Sequence, residues 1–430
     1  MEKILIKNGL VLTMASEKPD IVQKDILIKG RVISQVGSNL PEHKVNKIID
    51  ASNKVVMPGF INCHNHAAMS LLRGYSDDLR LMEWLSQKMW PAEDRLSSED
   101  VYWGTMLASA EMIRSGTTTF ADMYFFMDDV ARAVKDSGMR ASLCRGVTFL
   151  DDDVETRLKE TRDLIVKWQG KADGRITTMV GPHGPHTCPP DKLKLVMELA
   201  KEFNSAIHIH LAETKEEVDQ IFAEYRKTPT QYLADLNFFD DFHVLLAHAV
   251  NLSKDDLQIL KGIKGGISHN PVSNQKSGCG ITPVTELREL GVTVALGTDG
   301  AGSATTLDMF EEIKAAAWIQ KNRLFDPTAL TAYQVLQMAT IEGAKVLGLE
   351  QKIGTIEVGK KADLIIVDLE KPHLYPQHDI CALLAYSANG ADVDTTIING
   401  KIVMENRKLS TINEREVLDK AQEIAHRITG

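Results

Sequence analysis

The sequence lacks the features that mark several special classes of protein. Only five of its 430 residues are cysteines, at scattered positions, which fits a reducing compartment better than a disulfide framework. No run approaches the ~18 apolar residues of a membrane-spanning helix, and charged residues interrupt the apolar N-terminal residues before a signal-peptide core could form. Lysine and arginine number 49 against 59 acidic residues, and the net charge of -10 argues against non-specific nucleic-acid binding. We therefore expect a cytoplasmic protein with no nucleic-acid or membrane partner.

A complete dinucleotide-binding fingerprint is also missing. Neither Gly278-Cys279-Gly280 nor Gly297-Thr298-Asp299-Gly300 supplies the glycine pattern that such a fold places after an early strand. A doubly wound open sheet is therefore the second choice of fold.

The composition is that of an ordinary globular protein, and both ends of the chain contain β-like runs. Residues 4–6, 11–13 and 26–28 are apolar, and they are separated by Asn8-Gly9 and Lys29-Gly30-Arg31, which are typical of hairpin turns. Residues 362–367 and 395–403 have the same character, the second with an Asn399-Gly400 turn. Neither end has enough strands to be stable alone. We predict one composite β-sandwich, formed by residues 1–57 and by residues 349–430, the latter ending in a helix.

Between these ends, apolar strands alternate with longer helical patterns. The eight predicted strands are residues 55–62, 117–123, 140–147, 176–182, 206–211, 244–249, 265–269 and 292–297, and the clearest predicted helices are residues 98–114, 190–203, 307–320 and 332–347. This alternation predicts an α/β fold, a (β/α)8 TIM barrel over residues 58–348, with its chemistry at the carboxyl ends of the strands.

Residues 67–93 interrupt the alternation between the first strand and its helix. The segment is rich in methionine and tryptophan, and long loops on barrels are usually functional. It predicts a folded lid over the site, with a satellite core beneath a loop as the competing interpretation.

Histidines and one aspartate stand at the ends of the predicted strands. His64 and His66 end the first strand on one face, His183 follows the fourth, His210 ends the fifth, His248 the sixth and Asp299 the eighth. Because the carboxyl ends of barrel strands meet at one rim, we expect these side chains to converge. Imidazoles with a carboxylate suit a catalytic zinc ion that keeps one position open for water.

Two further histidines belong to the same strands. His208 shares a face with His210 but lies two residues deeper, so we expect a packed residue or one that supports a ligand. His269 ends the seventh strand, and a structural role is favoured for it.

Glu213, three residues past His210, is the natural proton donor, although helix capping would also explain it. An activated water, a base (Asp299 or His248) and a separate acid constitute hydrolytic machinery for a carbon centre that bears a leaving group. The sequence has no Pro-Cys-x-x-Cys motif, which excludes the cysteine-ligated deaminase architecture.

At this point the chain resembles the amidohydrolase superfamily over its whole length, and more narrowly its 5-methylthioadenosine/S-adenosylhomocysteine deaminase family. The runs that carry the resemblance are MPGFINCHNH at residues 57–66, HNHAAM at 64–69, LLRG at 71–74, WPAED at 90–94, SGTTT at 115–119, HNPVSN at 269–274, LGTDG at 296–300 and GKKADLI at 359–365. Triazine hydrolases and other purine or pterin deaminases share most of these runs.

The resemblance implies a zinc ion, one per subunit, held by His64, His66, His210 and Asp299. It makes His248 a partner of the attacking water. Glu213 would protonate the purine N1 as hydroxide attacks C6, and Asp299 would pass the water proton to the departing ammonia.

The resemblance also implies substrate contacts. Glu93 matches the carboxylate that grips the ribose hydroxyls, and His183 matches a nucleoside contact. Arg145 matches an arginine that would pair with a homocysteine carboxylate. Arg157 has the spacing of a second such arginine, with a solvated helix charge as the alternative.

The chain departs from the family pattern at two places. Residues 300–306 read GAGSATT where Ser-Asn-Asn is expected, and the segment Gly181-Pro182-His183-Gly184-Pro185-His186 has a histidine where a tyrosine is usual. Both departures lie at the predicted rim, so they bear on substrate preference.

Three functions remain open at this stage. The favoured one is zinc-dependent deamination of adenosine derivatives to inosine derivatives and ammonia. A triazine hydrolase or a guanine- or pterin-type deaminase would have no use for ribose recognition by Glu93. A non-catalytic scaffold is disfavoured because the ligands and Glu213 are all retained. The oligomeric state is undecided, and a homo-oligomer is open.

Overall fold

The structure is a computed structural model that describes residues 2–149 and 153–430. Its strands are β1 (Lys3–Leu12), β2 (Ile21–Lys29), β3 (Val32–Gly37), β4 (Lys47–Asp50), β5 (Lys54–Pro58), β6 (Phe60–Asn65), β7 (Thr117–Tyr124), β8 (Arg140–Val147), β9 (Ile176–Thr178), β10 (Gly181–Pro182), β11 (Ile207–Leu211), β12 (His243–His248), β13 (Lys264–His269), β14 (Val294–Leu296), β15 (Leu364–Asp368), β16 (Val393–Ile398), β17 (Lys401–Glu405) and β18 (Lys408–Leu409).

Helices cover much of the remaining chain. The longer ones are Ser98–Arg114, Met127–Ser137, Val154–Trp168, Pro190–Phe203, Lys215–Tyr225, Met309–Leu324 and Glu414–Thr429. The shorter ones are Leu81–Trp84, Trp90–Glu93, Lys171–Gly174, Pro229–Ala234, Phe238–Asp241, Lys254–Ile259, Pro271–Lys276, Val284–Glu289, Ala301–Ala304, Ala332–Met338, Ile341–Val346 and Ile380–Tyr386. In the described parts of the chain, no helix has both the length and the apolar character to cross a membrane.

The two ends of the chain combine in one β-rich unit, as predicted, and in the described residues its strands form a single hydrogen-bonded sheet where a sandwich was predicted. Nine strands are hydrogen-bonded in the order β18-β17-β16-β15-β5-β1-β2-β3, with β4 on β1. The joint between the two ends is the antiparallel pair of β5 and β15, in which Val56 faces Ile366. A separate apolar core lies against this sheet and includes Ile6, Ile28 and Leu364.

The predicted hairpin turn at Asn8-Gly9 is wrong. β1 continues through these residues as a single strand, and its register with β2 shifts between Ile6 and Gly9, which is a β-bulge. Asn8 has a φ of +62°, so the dipeptide supplies the left-handed residue that either a bulge or a tight turn requires. The turn at Asn399-Gly400 is confirmed, because both residues have positive φ and β16 pairs with β17 across them.

The middle of the chain forms the predicted barrel. Strands β6 to β10 and strands β11 to β14 make two parallel sheets. A parallel bridge between Val180 and Ile207 joins them on one side. On the other side the Asp299 amide donates to the His64 carbonyl over 2.9 Å, which brings the end of the last strand to the first. The domain limits at residues 58 and 348 remain our proposal.

The predicted first barrel strand, residues 55–62, is wrong as a single strand. Residues 54–58 belong to the terminal sheet, and the barrel strand β6 begins at Phe60. Gly59 is the residue between the two strands. A Cβ on Gly59 would lie 2.1 Å from the Thr118 side chain, so a larger residue does not fit there. The chain can therefore turn from one sheet to the other only where no side chain is present.

Two other predicted elements are also interrupted. The fourth strand is divided into β9 and β10, and Val180 between them makes the bridge that joins the two sheets. The predicted helix at residues 332–347 breaks at Thr340. There the Ala339 carbonyl, which would continue the helix, accepts the Ile61 amide instead.

The segment at residues 67–93 is folded, as predicted. Residues 67–72 form a buried 3-10 helix, and residues 81–93 form continuous helical turns with a π-helical stretch at Leu85–Met89. The buried Trp84 indole donates to the Ser76 carbonyl over 2.8 Å. Lys276 forms an ion pair with Asp77 and so ties this segment to the helix after β13.

Candidate active site and metal centre

His64 in β6 and His66, directly after that strand, are each fixed through Nδ1. His64 Nδ1 shares a hydrogen bond of 2.9 Å with His208 Nε2, which confirms that His208 is packed beside a site residue. His66 Nδ1 donates to the Met123 carbonyl over 2.6 Å. The Nε2 atoms of His64 and His66 lie 3.4 and 3.2 Å from Asp299 Oδ1. Both rings therefore present Nε2 to the centre of the rim.

The same arrangement is found at the ends of β11 and β12. His210 Nδ1 donates to the His183 carbonyl over 2.7 Å, and His248 Nδ1 donates to Asn274 Oδ1 over 2.8 Å. The ring centroids of His210 and His248 lie 4.8 and 5.2 Å from that of His64. Hydrogen bonding at Nδ1 fixes a tautomer whose Nε2 is free to bind a cation.

Asp299 is held by groups on three sides. Its Oδ2 accepts hydrogen bonds from the hydroxyls of Ser273 (2.6 Å) and Ser303 (2.7 Å), and its Oδ1 accepts the Gly300 amide over 2.8 Å. The residue has a φ of +65°, a conformation that costs about 1–2 kcal/mol for an L-residue. The serine hydroxyls and this backbone turn aim Oδ1 at the histidines.

These residues fit a zinc ion. Ligand atoms of His64, His66 and Asp299 lie within 4.8 Å of one another, and so do those of His64, His210 and His248. His64 Nε2 is buried and has no hydrogen-bond partner among the described residues, which a cation would supply. Burial lowers the pKa of His64 to about 3 and that of His210 well below its usual range, so both imidazoles are neutral, as metal ligands must be. At His66 the contact with Asp299 outweighs burial and raises the pKa to about 9, so this imidazole must lose its proton when it binds a metal ion.

Glu213 lies beside this group, directly after β11. Its Oε2 is 3.7 Å from His248 Nε2, and burial raises the pKa of its carboxyl. Helix capping does not explain the residue, because Thr214 is the cap of the following helix and accepts the Glu217 amide. The Glu217 carboxylate accepts the amides of Ala212 and Glu213 over 3.1 and 2.8 Å, which anchors the loop that carries Glu213.

Glu93 and His183 also reach the rim. The Tyr124 hydroxyl donates to Glu93 Oε1 over 2.6 Å, and the Tyr124 ring centroid lies 6.5 Å from that of His66. The His183 ring lies 4.7 Å from the His210 ring, and its Nδ1 is 3.0 Å from the Thr187 hydroxyl. The structure therefore brings both predicted nucleoside contacts next to the histidine cluster.

The two predicted arginines lie further out, on β8 and on the helix after it. Arg145 forms an ion pair with Glu160, with 2.6 Å between Nε and Oε2. Arg157 is half-buried and donates to the Thr148 carbonyl over 2.6 Å. Neither arginine contacts the histidine cluster in the contacts of the described residues.

The departure at residues 300–306 has a packing explanation in part. A Cβ on Gly302 would lie 3.0 Å from Met69 and 3.5 Å from Trp84, so side chains of the segment at residues 67–93 occupy the space of a larger residue. Thr305 has a φ of +75°, which asparagine tolerates better than a β-branched residue, and nothing in the structure explains the threonine. The other departure, His186, lies 3.8 Å from Glu217 Oε1.

Several residues that position the site escaped the sequence analysis. Ser273 and Asn274 lie in the HNPVSN run, so their place in a matching motif was the available signal. Tyr124 gave no signal, because its partner Glu93 lies on another element. Ser303 and Glu217 lie within five residues of the groups they bind, but the sequence pattern assigned neither of them a role. His269, which was predicted to be structural, is buried, and its ring nitrogens have no partner among the described residues.

Comparison with known proteins gives consistent results. The Amidohydrolase family profile matches residues 55–403. A protein of Syntrophomonas wolfei named 5-methylthioadenosine/S-adenosylhomocysteine deaminase is 48% identical over 100% of both chains. A Methanosarcina acetivorans protein named 5'-deoxyadenosine deaminase is 48% identical over 100% of this chain and 99% of the other. The crystal structure of an adenosine deaminase from Xanthomonas campestris with bound zinc has a TM-score of 0.92 and 33% identity, covering 99% of this chain and 98% of that one.

Proposed function

The chain belongs to the amidohydrolase family, and from that membership we propose how its residues divide the work of one reaction. The protein is an enzyme, a hydrolytic deaminase of adenosine derivatives. The reaction replaces the 6-amino group of the purine by oxygen and gives an inosine derivative and ammonia. 5'-Methylthioadenosine, S-adenosylhomocysteine and 5'-deoxyadenosine share the base and the ribose and differ at the 5' position, so they form the substrate class.

We assign the zinc ion to His64, His66, His210 and Asp299. Three imidazoles with one carboxylate are a donor set that zinc prefers, and four protein ligands leave room for a water molecule. When bound, zinc supplies a Lewis acid and makes a nucleophile from water near neutral pH. The support for the assignment is the shared orientation of the three Nε2 atoms and the buried His64 Nε2, which has no hydrogen-bond partner among the described residues.

The proton transfers are assigned to two carboxyl groups. Glu213, whose carboxyl pKa is raised by burial, donates a proton to the purine N1 while the oxygen of a water molecule bonds to C6. Asp299 takes one proton from that water and passes it to the amino group as the C6–N bond breaks, so that ammonia departs. The remaining hydroxyl proton returns to Glu213 and leaves a C6 carbonyl. His248, held by Asn274, orients the water.

The rest of the nucleoside is assigned to the outer rim. The Glu93 carboxylate, oriented by Tyr124, accepts hydrogen bonds from the two ribose hydroxyls. His183 contacts the nucleoside beside His210. Arg145 and Arg157 face the 5' substituent from the next strand and helix.

The observation that carries the proposal is the position of Glu213. The carboxyl group of Glu213, which is 17% exposed and has a raised pKa, lies 3.7 Å from His248, whose ring packs against the cluster that fits the zinc ion. A proton donor and a site for an activated water therefore face the same space, which is what hydrolysis of a purine C6–N bond requires.

The test is ammonia release from a panel of adenosine, 5'-methylthioadenosine, S-adenosylhomocysteine, 5'-deoxyadenosine, guanine and an amino-triazine, before and after chelation. We expect chelator-sensitive turnover of the nucleosides, and Glu93→Gln should lower their kcat/KM because an amide offers one acceptor oxygen and no charge to the two ribose hydroxyls. Turnover of only the free base or the triazine would support the other amidohydrolase functions instead. Purified protein without bound zinc would favour a non-catalytic scaffold.

We propose a cytoplasmic location from the composition, and all five cysteines lie in described parts of the chain as free thiols. A small-molecule nucleoside is the expected partner. Whether the chain forms a homo-oligomer is a separate proposal that light scattering on the purified protein tests.

A further inference from the structure

Arg145 is placed to meet the 5' end of a bound nucleoside. It lies at the end of β8, and its register partner on β7 is Tyr124. Paired residues on neighbouring strands lie about 4.8 Å apart and point to the same face of the sheet. Since Tyr124 donates to Glu93, the proposed ribose acceptor, Arg145 stands one strand away from the ribose.

The guanidinium of Arg145 already has a carboxylate partner within the chain. Glu160, on the helix Val154–Trp168, places its Oε2 2.6 Å from Arg145 Nε, and Arg145 Nη1 donates to the Gly146 carbonyl. The Glu160 side chain is 47% exposed, whereas that of Arg145 is 18% exposed. Glu160 is therefore the solvent-exposed member of the ion pair, and Arg145 is the shielded one.

We propose that Glu160 is a specificity-determining residue that disfavours acidic 5' substituents, an inference that rests on the proposed function. A substrate carboxylate that approaches Arg145 must share or displace the Glu160 carboxylate, and it is repelled by the negative charge until it does so. A neutral substituent such as methylthio has no such conflict. The ion pair thus biases the enzyme toward nucleosides whose 5' group carries no negative charge.

The expected size of this substrate preference follows from the solvent exposure of the ion pair between Arg145 and Glu160. Ion pairs that face water are weak, and Glu160 can rotate away, so the effect is a matter of several-fold and not of orders of magnitude. Replacing Glu160 by glutamine removes the charge and keeps the shape. We expect this substitution to raise the kcat/KM of an acidic substrate, relative to that of a neutral one, by about threefold to tenfold.

The test compares two nucleosides that differ by one carboxylate, 5'-methylthioadenosine and 5'-carboxymethylthio-5'-deoxyadenosine. The ratio of their kcat/KM values is measured for the wild type, for Glu160→Gln and for the control Glu155→Gln. Glu155 is exposed five residues earlier on the same helix, so its loss changes the net charge equally. We expect only Glu160→Gln to raise the relative kcat/KM of the carboxylate substrate.

A double variant provides the second criterion. In an Arg145→Gln background, Glu160→Gln should no longer change the ratio, because the effect acts through the arginine. An equal ratio in the wild type and in Glu160→Gln would overturn the inference while leaving the deaminase function standing. Absence of turnover of both nucleosides by the wild type would overturn the function and the inference together.

Discussion

At the scale of single residues, the site depends on side chains that hold other side chains. Asp299 turns Oδ1 to His64 and His66 because Oδ2 is occupied by two serine hydroxyls, from Ser273 and Ser303. Hydrogen bonds to charged groups contribute about 1.5–3 kcal/mol each. Loss of either hydroxyl should let the carboxylate rotate away from the histidines.

We predict that Ser273→Ala and Ser303→Ala each lower kcat/KM by about 10-fold or more, the equivalent of one charge-assisted hydrogen bond. The double variant should lose less than the product of the two effects, because both hydroxyls act on one oxygen atom. Steady-state kinetics and the zinc content are measured together. Ser277→Ala, at the end of the same helix, is the control, and unchanged kinetics in both single variants would refute the role.

The sequence located the residues of the cluster but not the residues that orient them. His64, His66, His210 and Asp299 were found because strand ends of a barrel meet at one rim, so their positions along the chain were sufficient. The contact between Tyr124 and Glu93 joins a strand to the lid segment, and no spacing along the chain encodes that distance. Pairings between separate elements are set by packing, which local patterns do not specify.

At the scale of elements, the helix Lys215–Tyr225 holds the end of β11 in place. The loop between them includes Ala212, with a φ of +48°, and then Glu213. Glu217, in the first turn of the helix, accepts both loop amides with its buried carboxylate. A left-handed residue is unfavourable unless its surroundings hold it, so Glu217 is the residue that positions Glu213.

We therefore predict that Glu217→Gln lowers kcat by about 10-fold with little change in KM, because an amide oxygen accepts only one of the two loop N–H groups well. The pH dependence of kcat should change too, since the Glu213 carboxyl moves relative to His248. The control is Glu216→Gln at the neighbouring exposed residue, for which we expect kinetics near those of the wild type. A loss of thermal stability with unchanged kcat would assign Glu217 a purely structural role.

Some helices and strands match their predicted limits, and others do not. The helices Ser98–Arg114 and Pro190–Phe203 and the strand β8 match their predicted limits, because capping residues and apolar periodicity mark them. The strand predicted over residues 55–62 failed at Gly59, where the chain changes sheets without any break in its apolar character. Continuous hydrophobicity reports burial but does not say against which sheet.

At the scale of the whole molecule, a buried ion pair joins the barrel to the terminal sheet. Arg140, at the start of β8, donates to both carboxylate oxygens of Asp363 over 2.6 and 3.1 Å, and the Asn399 amide donates to the same carboxylate over 2.7 Å. Both side chains are almost fully buried. Removal of one partner leaves an uncompensated charge, which costs about 3–5 kcal/mol.

We predict that Arg140→Ala lowers the free energy of unfolding by about 3–5 kcal/mol and shifts the urea midpoint accordingly. The exposed pair Lys159 and Asp163 offers a contrast, and Asp163→Asn should leave the midpoint nearly unchanged. An Arg140→Met, Asp363→Leu double variant should recover part of the loss. Equal midpoints for Arg140→Ala and the wild type would mean that the two parts are held together by apolar contacts alone.

Glu213 is the central residue of the proposed reaction, as the proton donor of a zinc-dependent deaminase. The decisive measurement is ammonia release from 5'-methylthioadenosine by zinc-loaded wild type and by Glu213→Gln, with the zinc content of both determined in parallel. We predict that the variant keeps its zinc and loses about 10²- to 10⁴-fold in kcat, the usual contribution of a general acid. A variant that binds zinc and deaminates at the wild-type rate would contradict the assignment of Glu213.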